Sequence, residues 1–306
     1  MFTLEGHRIG DAWYFVENQI VHAFFPVNEL NQQSGFQIGH AVSDNLVEWE
    51  YLGIALSPGR AGTWDDKNLA TGSIIKRNGR YWMAFTGHRH ESFFVQRVGM
   101  AISDNLMTWE KLPENPTSEA DPDYYEITST GQRTLTHWRD PFLFDTGECV
   151  LQFVCARRTN GDETMRGTIG IAQSQDMRHW NALPPPEHDC MTEEMEVPQL
   201  YQIDGRYYLV FCTHDYLLAP SFKARFPNHY FRSTDYSMVG ESPTGPFRLF
   251  GTGEIIPPRL ANWFYASQLV RWEGNWYLLG TQGRDADSSL SDPYPVFADN
   301  TGIHLK

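Results

Sequence analysis

Apolar and polar residues alternate along most of this chain. NQIVHAFFP (Asn18–Pro26), NGRYWMAFTG (Asn78–Gly87), ECVLQFVCARR (Glu148–Arg158), DGRYYLVFCTH (Asp204–His214) and EGNWYLLGTQ (Glu273–Gln282) are each about one strand long. A two-residue period predicts strands with one face turned inward, and the Asn-Gly, Asp-Gly and Glu-Gly pairs predict hairpin turns. The 3.6-residue period of an amphipathic helix is nearly absent.

The pattern also repeats. GHAVSDNLVEWEYLG (Gly39–Gly53) returns as GMAISDNLMTWEKLP (Gly99–Pro113) and GIAQSQDMRHWNALP (Gly170–Pro184), with a weaker copy, SMVGESPTGPFRLFG (Ser237–Gly251). Each copy is a short strand, a Ser/Asp/Asn turn, and an aromatic residue opening another strand. A unit therefore runs inner strand, hairpin, second strand, third strand, turn, outer strand. Five units of roughly 60 residues predict an all-β, five-bladed β-propeller with four antiparallel strands per blade. Residues 1–306 read as a single domain, in which MFTLEGHRIG and YPVFADNTGIHLK are expected to share the last blade and close the ring. Asn115–Asp123, acidic and proline-containing, is expected to be a long loop between blades.

Repeats separate structural residues from chemical ones, because a residue recurring in several blades serves the blade. Asp44 and Asp104, in the repeated SDNL turn, are assigned to turn hydrogen bonding, and Trp49, Trp109 and Trp180 to blade packing. The residues that break the repeat lie where inner strands begin: GDAWYF, LATGSII, WRDPFLF, EVPQLY and FYASQLV. Three of these carry an acid, Asp11, Asp140 and Glu196, expected at equivalent positions converging on one axis. The other two carry Thr71, Ser73, Tyr265 and Gln268. Convergent carboxylates are what glycoside hydrolysis needs, one to attack or activate water and one to protonate the leaving oxygen. Crowding by its neighbours is expected to keep Glu196 protonated.

Charge narrows the partners. Lys and Arg total 24 against 38 Asp and Glu, a net charge of −14, which repels nucleic acid and anionic membranes and leaves a neutral small-molecule carbohydrate as the expected ligand. The N-terminus shows no signal-peptide pattern, and no run is long enough to span a bilayer. The four cysteines, Cys149, Cys155, Cys190 and Cys212, have neither metal-ligand spacing nor disulfide density, which suggests a cytoplasmic protein. No cofactor is expected, since no phosphate-cradling glycine loop or Ser-His-Asp arrangement is present. No metal is expected either: in GHRHES, His88 and His90 would point to opposite faces of a strand. Trp13 and Trp64 are candidate sugar platforms, whereas Trp82, Trp138 and Trp263 lie near inner-strand ends. Asp65 and Asp66 are candidate rim residues.

GFQIGHAVSDNLVEWEYLGIALSP (Gly35–Pro58), WRDPFLF, MEVPQLYQIDGRYYLVF and WFYASQLV together resemble glycoside hydrolase family 32, the β-fructosidases, in the right order along the chain. The resemblance implies a retaining enzyme on a five-bladed propeller. It implies Asp11 as nucleophile, Asp140 as transition-state stabiliser with Arg139 beside it, and Glu196 as acid/base. It further maps the family's FSGS segment onto Ala70–Ser73 and its FYA-x-Q segment onto Phe264–Gln268. Three departures stand out. The usual NDPNG around the nucleophile reads GDAWYF, the glutamine ending the next strand is Pro26, and no C-terminal β-sandwich is expected. Two alternatives remain open: an inverting arabinosidase or xylosidase like those of family 43, and a non-catalytic sugar-binding propeller.

Overall fold

Hairpins are where the alternating pattern becomes structure. Asn78-Gly79, Asp204-Gly205 and Glu273-Gly274 all take positive φ (54° and 75°, 50° and 82°, 46° and 80°), the two-residue turn that matches strand twist. Asn18 and Gln19 (49° and 60°) do the same in the first blade. Each turn fixes a register, pairing Glu17 with Ile20, Arg77 with Arg80, Ile203 with Arg206 and Trp272 with Asn275.

The computed structural model describes residues 1–30, 35–127, 136–256, 264–283 and 287–306, with only the backbone described at 92–94. Its strands form five antiparallel sheets. The innermost strands, Trp13–Glu17, Asn68–Arg77, Arg139–Asp145, Glu196–Ile203 and Tyr265–Trp272, touch one another in sequence order and then back to the first. That closed ring is the expected five-bladed propeller. Tyr294–Asp299 and Gly302–Leu305 complete blade five. Among the described residues the one α-helix is Pro220–Lys223, and no helix is long and apolar enough to cross a membrane.

Ring closure differs from expectation. His7–Ile9 pairs with Ile20–Glu29 in blade one rather than joining blade five. The two ends meet through Phe2 and Leu290, which exchange backbone hydrogen bonds, and through Ile9 N donating to Ser288 Oγ at 2.8 Å. His7–Ile9 and Trp13–Glu17 lie along the same strand, so blade one's inner edge is broken at Gly10–Ala12.

The repeat has a packing cause. An aromatic ring lies on the first glycine of three copies, where an added Cβ would come within 2.8 Å of Phe25 at Gly39 and 2.5 Å of Trp64 at Gly99 or Trp138 at Gly170. In the turn, the acceptor is the third residue rather than the second. Asn45, Asn105 and Asp176 each take two backbone N–H groups on Oδ1, at 2.8–3.0 Å. Asp104 instead pairs with Arg80 at 2.6 Å, and Asp44 is exposed, so the assignment to these two aspartates is corrected. The residue after the acceptor is left-handed in all three copies: Leu46, Leu106 and Met177 have φ of 65°, 65° and 67°. The Asn115–Asp123 loop reaches across blades, with Thr117 N donating to Val98 O and Ser118 Oγ accepting from Trp138 Nε1 at 2.8 Å.

Candidate active site

Four inner strands reach the axis through one shared irregularity. Ala70 lies opposite Thr86 and Ser73 opposite Ala84, three residues advancing against two. The same step separates Arg139 from Phe142, Glu196 from Gln199 and Tyr265 from Gln268. This is a β-bulge, and it turns two consecutive side chains toward one side. Its second residue is left-handed in three blades, with φ of 58° at Asp140, 48° at Val197 and 54° at Ala266. Its third is Pro141 or Pro198 in two blades, which have no N–H to leave unpaired there.

The register corrects one expectation. Arg139, Glu196 and Tyr265 occupy one bulge position, and Asp140, Val197 and Ala266 the next. In blade one, Gly10 N donates to Pro26 O at 2.7 Å and Trp13 pairs with Phe24, which aligns Asp11 with Asp140. Asp11 and Asp140 are thus equivalent, while Glu196 stands one residue earlier. The bulge lets both positions face the same space.

That space is a cavity of about 620 Å³ at the axis, with Asp11, Thr71, Arg139, Asp140, Glu196 and Tyr265 on its wall. The fourth bulge position lies behind the wall. Ser73 Oγ accepts from Leu143 N at 2.9 Å and ties blade two to blade three. Gln268 is buried, and Trp13 is fully buried against Phe24 in the core between blades one and two. Trp64 covers Gly87 and Gly99 and packs on Phe85, away from the cavity. Each tryptophan fills a gap between strands, and neither is among the residues lining this cavity. Asp65 pairs with Lys111, and Asp66 accepts from Gly62 N and His90 N; neither lines the cavity. Trp82 and Trp138 are buried, and Trp263 lies outside the described residues.

Arg139 organises the wall. Its Nη1 meets His137 Nδ1 at 2.8 Å and Gln96 Oε1 at 3.3 Å. Its Nη2 donates to Glu194 Oε2 and Glu196 Oε1, both at 2.6 Å, and its Nε lies 3.3 Å from Asp140 Oδ2. Nη1 and Nη2 thus each meet two protein partners, and Nε is held in an ion pair with Asp140. Arg139, expected to bind sugar, is therefore committed to the acids around it. Asp140 is fixed as well: its N–H donates to Thr86 Oγ1 at 2.8 Å, and its Oδ2 accepts from Val197 N at 3.2 Å. Glu196 Oε2 accepts from the Tyr265 hydroxyl and lies 3.8 Å from His214 Nε2.

Burial, with the added charge of Asp140, Glu196 and Asp235, pushes the Asp11 carboxyl up to about 8. Burial alone pushes Asp235 up to about 7, against two hydrogen bonds from Ser267. His88, on the wall, is pulled down to about 4 by burial and by Arg139, which keeps its ring neutral. His137, Cys155 and Glu194 bring ligand atoms within 4.8 Å of one another, the arrangement of a metal site. Arg139 already supplies the positive charge there, donating to Glu194 and meeting His137. His88 faces the cavity and His90 the solvent.

Thr86, Gln96 and Tyr216 on the wall left no signal that the inner-strand starts would reveal, and His88 and His214 join the wall as neighbours of the acids rather than as metal ligands. All lie on second or third strands or the loop after them, where the search of inner-strand starts did not look. Tyr265, His214 and Tyr216 form a near-parallel stack, with centroids 4.6 and 5.0 Å apart.

Residues 13–271 match the model of the glycosyl hydrolases family 32 N-terminal domain. Similar proteins include the sucrose-6-phosphate hydrolase of Escherichia coli, 24% identical over 208 residues, which are 66% of this chain and 40% of that one. The acid beta-fructofuranosidase of Vicia faba is 33% identical over 139 residues, 42% of this chain and 20% of that one. The chain spans less than half the length of these relatives. Among solved structures, the inulosucrase from Halalkalicoccus jeotgali bound to kestose superposes with a TM-score of 0.77 at 18% identity, covering 99% of this chain and 87% of that one. The sucrose-6-phosphate hydrolase from Lactobacillus gasseri gives 0.75 at 19%, covering 97% and 60%. At these identities the likeness is one of fold.

Proposed function

The chain belongs to glycosyl hydrolase family 32, and from that premise we propose that it is a retaining hydrolase of small, neutral β-fructofuranosides. The observation that carries this is the meeting of Asp11, Asp140 and Glu196, from three different blades, on the wall of one cavity. In this reading Asp11 attacks the anomeric carbon and forms a fructosyl-enzyme ester. Glu196 gives its proton to the departing oxygen as the glycosidic bond breaks, and then takes one from the water that cleaves the ester. Asp140, held through Oδ2 by Val197 N–H and Arg139, stabilises the positive charge that develops on the ring. Tyr265 orients Glu196 through its hydroxyl.

Two features favour a neutral sugar. The protein carries a net charge of −14, and Arg139, the one guanidinium on the described wall, is committed to carboxylates. A reducing, cytoplasmic setting fits the four free thiols. The test is a panel of sucrose, sucrose 6-phosphate, short inulin- and levan-type oligomers, and aryl arabinofuranosides and xylosides. Release of fructose, with sucrose preferred over its phosphate ester, is the expected result. Release of arabinose or xylose in its place would overturn the reading, and so would tight binding of fructosides with no turnover.

A further inference from the structure

Behind the cavity wall stands a carboxylate that the repeat pattern does not mark. Glu194 is 1% exposed and lies two residues before Glu196. One nitrogen of Arg139 joins them, Nη2 donating to Glu194 Oε2 and to Glu196 Oε1 at 2.6 Å each. Asp140 also draws on this guanidinium, from 3.3 Å. Three buried carboxylates thus share one positive charge. His137 Nε2 lies 3.8 Å from the other oxygen of Glu194. Around Glu196 also stand Tyr265 from blade five, His214 and Cys212 from blade four, Cys155 from blade three and the Asp11 carboxyl from blade one.

A general acid must hold its proton until the leaving group departs. An arginine paired mainly with Glu196 would keep that carboxyl ionised and unable to donate. We propose that Glu194 is a positioning residue for the proton-donating step: it holds Arg139 and draws off its charge, so that Glu196 is fixed through Oε1 and keeps a transferable proton on Oε2. This rests on the fructoside-hydrolase reading above. Glu194 acts only through Arg139 and touches no reacting atom. The arrangement also assigns the two oxygens of Glu196, since Oε1 meets Arg139 and Oε2 meets the Tyr265 hydroxyl.

The experiment compares Glu194→Gln and Glu194→Ala on two substrates. Sucrose needs its leaving oxygen protonated, whereas β-fructofuranosyl fluoride loses fluoride without an acid. With the clamp undone, kcat/KM for sucrose is expected to fall by about a hundredfold, the usual worth of a general acid, while the fluoride changes by less than about threefold. Glu194→Gln keeps the shape and one acceptor for Arg139, so it carries the comparison if the alanine variant does not fold. Equal losses on both substrates in a variant that unfolds at the wild-type temperature would overturn the clamp, as would no loss on either. A wild-type protein that turns over neither substrate would overturn the functional reading itself, and the clamp's catalytic task with it.

Discussion

Two irregular places recur among the blades, the bulge at the axis in four of them and the turn beneath the outer strand in three, and they repeat differently. In the turn, backbone and side chains recur together: Ser43, Ser103 and Ser174 are followed by an Oδ1 acceptor and a left-handed residue. At the bulge the backbone recurs while the side chains do not, reading Ala-Thr, Arg-Asp, Glu-Val and Tyr-Ala in successive blades. A conformation kept with its residues is serving the fold. A conformation kept with different residues is a mount on which chemistry is exchanged.

The contrast breaks most sharply at the acids. Asp11→Ala and Glu196→Ala are each expected to lower kcat by about a thousandfold or more, with thermal unfolding within a few degrees of wild type. An inactive variant that also unfolds early would put that residue among the fold's supports. Arg139 tests the boundary, because it sits on the mount yet is paired with Asp140, Glu194 and Glu196. Arg139→Lys supplies one point charge in place of a five-donor fork and leaves buried carboxylates unpaired. A stability loss of about 3–5 kcal/mol is expected by denaturant titration, together with a large fall in activity.

The acids also set a pH dependence. Asp11 must be ionised to attack, and burial with its acidic neighbours pushes it up to about 8. A carboxyl raised in this way holds its proton below that pH, so kcat/KM should rise with pH toward about 8. A profile already flat at pH 6 would show that Asp11 is ionised there and that the site is less crowded than its geometry implies. The smallest effects belong to the turn. Asn105→Ala removes the acceptor for Met107 N and Thr108 N and should cost about 1 kcal/mol with kcat unchanged. Asp44→Ala, one place earlier in its own copy, should stay within about 0.5 kcal/mol.

How much of this was legible in the sequence follows from the same contrast. The blades, their number and the inner-strand starts could be read because a two-residue period and a repeat are local signals. The half-step at the bulge could not, because an extra residue leaves the alternation of the following strand intact. Glu196 therefore looked equivalent to Asp140 when the register matches it to Arg139. The packing of Trp13 and Trp64 away from the cavity was not legible, because an aromatic near a strand end looks the same in sequence whether it faces a cavity or a neighbouring blade. Glu194 and His137 did leave a signal. Each is two residues before a wall residue, Glu196 or Arg139, and in extended chain that spacing shares a face. What the sequence could not convey was that one guanidinium gathers both pairs.

The most direct test of the central claim is to trap the fructosyl-enzyme ester. Glu196→Gln, given β-fructofuranosyl fluoride, should form the ester without an acid and release it slowly without a base. Digestion and mass spectrometry should find one fructosyl group on the peptide containing Asp11. An adduct on the peptide containing Asp140, or product of inverted configuration with no adduct at all, would contradict the account.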